Sequence, residues 1–364
     1  MSFHVIQLTP PGRGAVATLR VEGPGAVVAV DAEIRPRGQR PWADYPPDRL
    51  VVAGFGLPPG EEVVVRRVGP EAVELHCHGG TAAVAMLCET LAARGGVQVG
   101  WRAWLAGREG DSIAAAALED LADARTECTA AILLDQYKGA LRRSLEQLQQ
   151  ARAAGDRAAS QRLRDQLLAR APLGMHLTAP WRVVIAGPPN AGKSSLLNAL
   201  VGHSRAIVHH EPGTTRDVVT ATVALDGWPV ELADTAGLGP AADQVERLGV
   251  AKARERIAAA DLVLWVCDGS VPAEGDSPIF VGFAAKIGTV PANRRTLAVQ
   301  NKCDLPAAPG HGAGLAVSAK TGEGLAALEA AIVAQLVPDP PSPGDAVPFR
   351  TEHLAEICEA DDGA

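Results

Sequence analysis

The stretch Gly187-Pro-Pro-Asn190-Ala-Gly192-Lys193-Ser194 constrains this chain more than any other. It follows the apolar run Trp181–Ala186 and precedes an apolar-periodic segment that begins Ser195-Leu-Leu-Asn. Strand, glycine-rich loop and helix form the context in which G-x-x-x-x-G-K-[ST] acts as a phosphate loop. With little side-chain bulk, consecutive backbone N–H groups can wrap a β-phosphate, and the helix N-terminus adds the positive end of its dipole. Asn190, Ala191, Gly192, Lys193, Ser194 and Ser195 are therefore candidate nucleotide ligands, with Lys193 on the β/γ oxygens and Ser194 on Mg²⁺.

Four further elements follow in order. His209-His-Glu-Pro-Gly213-Thr-Thr-Arg-Asp217 offers Thr215 as a second metal ligand and γ-phosphate sensor. Pro229-Val-Glu-Leu-Ala runs into Asp234-Thr235-Ala236-Gly237. An aspartate at a strand's C-terminal end is placed to hold Mg²⁺ through water, and Gly237 to offer its N–H to the γ-phosphate. Asn301-Lys302-Cys303-Asp304 comes next. Asp304 can accept from guanine N1–H and N2–H₂ together, a donor pair that adenine lacks. Ser318-Ala319-Lys320 would support the base from below. The set specifies a guanine-nucleotide switch that hydrolyses GTP. Leu238 stands where many small GTPases carry a water-positioning glutamine, and an apolar side chain cannot orient water. Glu246, at the start of the following helix, is the candidate that replaces it, completing a catalytic set of Glu246, Lys193 and Thr215.

Composition enters as an exclusion. A net charge of −8 argues against a broadly basic nucleic-acid surface, and 4% aromatic content against extended base-stacking platforms. The six cysteines are scattered without a C-x-x-C pair, which fits reduced thiols better than disulfides or zinc. No run reaches the roughly 18 apolar residues of a membrane span, and Met1-Ser-Phe-His does not open a signal peptide. A cytoplasmic protein without membrane contact is expected.

The organisation expected from the pattern has four parts. Residues 1–105 read as an α+β module: two short strands about a Gly/Pro turn, later strands at 62–66 and 72–77, and a helix opened by Gly79-Gly80. Residues 106–178 read as helical, with Leu134, Leu141, Leu145 and Leu148 on one amphipathic face and Pro172 and Gly174 closing the last helix. The arginines there alternate with acids, as on a solvated face. Residues 179–337 alternate strand and helix, which predicts a parallel sheet covered on both faces. Residues 338–364 read as a turn-rich linker followed by one short helix.

Several segments together resemble the tRNA-modification GTPase family MnmE (TrmE), over roughly residues 1–337. They are Pro10-Pro-Gly-Arg-Gly-Ala, Glu74-Leu-His-Cys-His-Gly-Gly80, Arg102-Ala-Trp-Leu, the phosphate loop through Asn198, Pro212-Gly-Thr-Thr-Arg-Asp217, and Asp234-Thr-Ala-Gly-Leu with Val245-Glu-Arg-Leu-Gly. The resemblance implies an N-terminal domain that dimerises and binds a one-carbon tetrahydrofolate, a helical domain interrupted by the G domain, and a flavoprotein partner. It implies a carboxymethylaminomethyl-type group on the wobble uridine, U34, of certain tRNAs, which would be transient partners. It also implies hydrolysis by paired G domains with K⁺ between them, held in part by Asn190, and it puts Glu246 at the family's essential acid. The family's Arg-x-Ser-Gly appears as Arg20-Val-Glu22-Gly23, which makes Arg20 the candidate folate contact. Its closing Cys-Ile-Gly-Lys is not matched, since Cys358 stands in Ile-Cys-Glu-Ala. A second reading is therefore a GTP-dependent regulatory or ribosome-assembly switch without the modification chemistry.

Overall fold

The computed structural model describes residues 2–12, 14–38, 40–108, 110–206, 220–234, 255–272, 295–309 and 314–358. They form two compact units, Met1–Ala115 and Ala116–Ala364.

In the first unit, β1 (Phe3–Gln7) and β2 (Val16–Glu22) form the expected antiparallel hairpin. Helix α1 (Ala26–Asp31), β3 (Ile34–Pro36), β4 (Val51–Phe55), β5 (Glu61–Gly69), β6 (Ala72–His78), α2 (Thr81–Ala93), β7 (Gly96–Gln98) and α3 (Trp101–Arg108) follow. The strand order is β3-β4-β5-β6-β2-β1-β7, antiparallel except for the β1–β7 pair. Alternation decides the layers. Ala17, Leu19 and Val21, with Val73, Leu75 and Cys77, turn inward onto Leu87, Cys88 and Leu91 of α2. The opposite face is polar, and there Arg20 pairs with Glu22 at 2.8 Å and with Glu74 at 3.2 Å. Arg66 reaches the other oxygen of Glu74 at 2.9 Å.

Helices α4 (Ser112–Leu121), α5 (Glu127–Tyr137), α6 (Ala140–Ala153) and α7 (Arg157–Gly174) follow. The Asp156 carboxylate caps α7 by accepting from Ala159 N–H at 3.0 Å. Leu141, Leu145 and Leu148 are buried, but Leu134 is 37% exposed. The expected single leucine face is thus broken: Leu134 belongs to α5, and the turn at Lys138-Gly139 rotates it away from the α6 stripe. Pro172 does not close α7 either; it sits inside the last turn, which runs on to Gly174.

The second sheet comprises β8 (Trp181–Ala186), β9 (Arg205–Ala206), β10 (Thr220–Leu225), β11 (Trp228–Asp234), β12 (Leu262–Asp268), β13 (Thr296–Asn301) and β14 (Leu315–Ala316). Helix α8 (Lys193–His203) follows β8, and α9 (Leu325–Leu336) follows β14. The order is β14-β13-β12-β8-β11-β10-β9. Five strands are parallel, as expected, but β10 and β9 extend the edge antiparallel. The cause is the two-residue turn Asp226-Gly227, with both residues at positive φ, which folds β10 directly back on β11.

The stretch after the sheet is more than a linker. Gln136, fully buried in α5, donates to the Asp345 carbonyl at 3.0 Å and accepts from Val347 N–H at 3.1 Å. Arg170 pairs with Asp345 at 2.6 Å, and Arg350 with Asp120 at 2.6 Å and Glu119 at 2.7 Å. Val347 and Phe349 are buried, and helix α10 (Thr351–Cys358) puts Ile357 and His353 inward. Residues 344–358 thus complete the helical layer begun by α4–α7.

Burial, and secondarily the Arg350 charge, lowers the His353 pKa below 6.5, against the opposing pull of Glu352 and Asp120. The neutral ring accepts from Phe349 N–H at 3.4 Å. Below pH 6.5 the unfolded chain takes up a proton that the folded chain refuses, so this contribution is lost as pH falls from 6.5 through the folded-state value. Thermal unfolding of this unit should therefore shift downward between pH 7 and pH 5. His353→Asn should be less stable at pH 7 and lack that part of the pH slope. An unchanged slope in the variant would show that His353 does not carry it.

Candidate nucleotide-binding site

The parallel strands deliver their C-terminal ends to one edge of the sheet, and β8 lies at the centre with β12 on one side and β11 on the other. That is a topological switch point, where α/β sheets bind their ligands. The phosphate loop leaves β8 there and enters α8 at Lys193. Two glycines are dictated by space. A Cβ on Gly187 would overlap the Val266 carbonyl of β12, and one on Gly192 would overlap the Asn301 amide. Both residues, with Asn190 between them, have positive φ. Such a loop presents backbone rather than side chains to whatever it encloses.

Lys193 is buried, 8% exposed, and donates from Nζ to the Pro188 carbonyl at 2.8 Å. Burial lowers its pKa, with nearby Asp234 pulling the other way. Phosphate oxygens are the acceptors that would best satisfy this desolvated ammonium. Ser194 Oγ donates to Asp234 Oδ2 at 2.5 Å, which brings the loop hydroxyl and the carboxylate at the end of β11 together. Two hard oxygens so placed, one of them anionic, suit Mg²⁺, which keeps several waters and takes one or two carboxylate or phosphate ligands. Asn190, Ser194 and Ser195 are exposed around the loop, and Ala191 is buried beneath it.

The base-reading elements meet on the same edge. Asn301, 2% exposed at the end of β13, donates from Nδ2 to the Ala191 carbonyl at 2.9 Å. Its Oδ1 accepts from Ala319 N–H at 3.0 Å. One side chain therefore ties the phosphate loop to the Ser318-Ala319-Lys320 turn. Fully buried Ser318 donates to Asp304 Oδ1 at 2.7 Å and accepts from Thr321 N–H at 3.1 Å. The Asp304 carboxylate is thereby oriented while remaining exposed. Lys320 is exposed on that turn. Lys302 has a φ of 68° and pairs through Nζ with Asp268 Oδ2 at 2.6 Å.

Asp268 is the residue that reading the sequence missed. The available signal was a strand, Leu262–Cys267, ending in Asp268-Gly269-Ser270. Burial would raise its pKa, but hydrogen bonds from Lys302 and Ser270 hold it below the ordinary carboxylate value. Thr215, Thr235, Ala236, Gly237, Leu238 and Glu246 lie outside the described residues. In the first unit, Arg20 does not stand open to an anion, because Glu22 and Glu74 compensate its charge. Among the described residues no group of three or more His, Cys, Asp or Glu side chains is placed to hold a metal. No helix among them is long and apolar enough to cross a membrane.

Residues 182–302 match the family described as 50S ribosome-binding GTPase. Over much more of its length the chain is similar to proteins named tRNA modification GTPase MnmE. It is 38% identical to the one from Methylobacterium sp. (strain 4-46), over 87% of this chain and 78% of that protein. The Methylorubrum populi protein is 38% identical over 96% of this chain and 84% of its own length. The one from Heliobacterium modesticaldum is 34% identical over 88% and 78%.

Proposed function

The chain belongs to the MnmE family of tRNA modification GTPases, and from that premise we propose that it hydrolyses GTP to drive the modification of the wobble uridine, U34, of tRNA. It is a GTPase of tRNA modification that uses GTP and Mg²⁺. The observation that carries the reading is Asn301, whose two amide atoms join the phosphate loop to the guanine-reading turn.

The residues divide the work. Backbone N–H groups of Asn190–Ser195 and the Lys193 ammonium take the phosphates, while Asp304 accepts from the guanine edge over Ser318–Lys320. Ser194, Thr215 and, through water, Asp234 would hold Mg²⁺, which when bound draws charge from the phosphate oxygens. Thr235, Ala236 and Gly237 follow Asp234 and would meet the γ-phosphate. Glu246 would orient the attacking water, the work an apolar Leu238 cannot do. K⁺, held in part by Asn190 as two G domains meet, would neutralise transition-state charge, the task of an arginine finger elsewhere.

The modification reading adds a carboxymethylaminomethyl-type product, a flavoprotein partner and a homodimer built on residues 1–105. The helical part would be residues 106–178 and the G domain 179–337, followed by 338–364 as a linker and short C-terminal segment, of which 344–358 pack on the helices. A one-carbon tetrahydrofolate would bind the N-terminal unit. Its contact with Arg20 requires the Glu22 and Glu74 pairs to rearrange, so the present arrangement does not fit that group and no step is assigned to it.

The test is mass spectrometry of wobble nucleosides from cells lacking the gene, before and after its restoration. Loss and return of the modified uridine is the expected result. Unchanged nucleosides would leave a GTP-dependent switch without modification chemistry.

A further inference from the structure

Asp268 ends β12 directly beside Asn301, the last residue of β13, so it stands one strand away from the start of the base-reading loop. Its two oxygens do different things. Oδ1 accepts from Ser270 N–H at 3.0 Å and from Ser270 Oγ at 2.6 Å, which locks the carboxylate's rotation. Oδ2 is left facing Lys302 Nζ at 2.6 Å. The support beneath is equally specified: Gly269 N–H donates to the Asn301 carbonyl at 2.8 Å, and Ala308 N–H to the Gly269 carbonyl at 3.0 Å. The Asp268 side chain is 19% exposed and that of Lys302 34% exposed, so the pair is half sheltered from solvent screening. Lys302 also holds a left-handed backbone, a conformation that non-glycine residues adopt where the surroundings impose it.

We propose that Asp268 is a positioning residue for guanine-nucleotide binding, anchoring Lys302 so that its aliphatic stem is held ready to cover the face of the base that Asp304 reads at the edge. The inference deepens the GTP-binding reading and rests on it. A lysine stem left free must be ordered when the nucleotide binds, and that loss of rotamer freedom is unfavourable. An anchored stem has already lost it. Because the stem covers the ring and Asp304 takes the edge, Asp268 acts on affinity for any purine nucleotide in the site and leaves discrimination by the 2-amino group to Asp304.

The experiment is a double-mutant cycle read by fluorescent-nucleotide displacement with GDP and IDP, using the full chain. Asp268→Asn should weaken GDP about tenfold, the scale of ordering one free lysine. Lys302→Ala should weaken it at least as much, and adding Asp268→Asn to Lys302→Ala should change nothing further. The ratio of GDP to IDP affinity should stay at its wild-type value in Asp268→Asn. Equal losses in the two backgrounds would overturn the proposal, since Asp268 would then act through the strand edge and not through Lys302. Unaltered GDP affinity in Asp268→Asn, or a collapsed GDP/IDP ratio, would overturn it as well. A wild-type chain that binds no GDP would instead overturn the reading of the whole site.

Discussion

Asp304→Asn is expected to lower GDP affinity by about three orders of magnitude and to raise affinity for XDP at least tenfold. The wild-type carboxylate accepts from guanine N1–H and N2–H₂, two bonds to a charged acceptor worth about 1.5–3 kcal/mol each, and about 1.4 kcal/mol corresponds to a factor of ten. Geometry makes the substitution worse than neutral. Ser318 Oγ donates to Oδ1 at 2.7 Å and would keep the oxygen of an asparagine, which turns the new NH₂ toward the base. A donor then faces the guanine donors, which are left without an acceptor in the bound complex. Xanthine carries a carbonyl where guanine carries its 2-amino group, so the same NH₂ finds an acceptor. Titration of both nucleotides into the variant measures both effects. Retained GDP affinity would mean that Asp304 does not read the base.

Glu246→Ala should separate the other half of the chemistry. GTP hydrolysis is expected to fall about 10²–10³-fold, the usual scale for a lost water-orienting or charge-stabilising group. Nucleotide affinity should stay within about twofold, because the phosphate loop and the base pocket hold the ground state without Glu246. Asp234 ends a strand beside the Ser194 hydroxyl, and Leu238, four residues on, offers no hydrogen bond to water. The segment that follows carries two acids, Asp243 and Glu246, and the family resemblance selects Glu246. Single-turnover hydrolysis and fluorescent-nucleotide binding on the same preparation give the two numbers. If the rate is untouched, Glu246 has a structural role. Together the variants are expected to fail in opposite ways, one in binding and one in rate.

Much of this site is legible in the chain because its physics is local. A phosphate cradle needs glycine where the backbone turns to positive φ or approaches another strand, and Gly187 and Gly192 meet both conditions. The base-reading carboxylate needs only its own motif. Alternation along β2 and β6 likewise places Leu19 and Leu75 inside and Arg20 and Glu74 outside without reference to distant residues. Elsewhere the local signal misleads. The spacing from Leu134 to Leu141 fits one helix face, yet a turn at Gly139 divides it. Asp226-Gly227 is a hairpin signal that a uniformly parallel reading overlooks, and it reverses the edge of the sheet.

The sequence by itself determined the chemistry: a loop for phosphates, oxygens for a hard metal and a carboxylate for guanine, because each depends on residues a few positions apart. Only the tertiary structure decided which side chains hold that chemistry in place. Asn301 reaches Ala191, Lys302 finds Asp268, and Gln136 closes on Val347, each across a long stretch of chain. The reason is that a buried polar group must find a partner, and strand order and helix packing, not neighbours in sequence, determine which partner lies within hydrogen-bond reach.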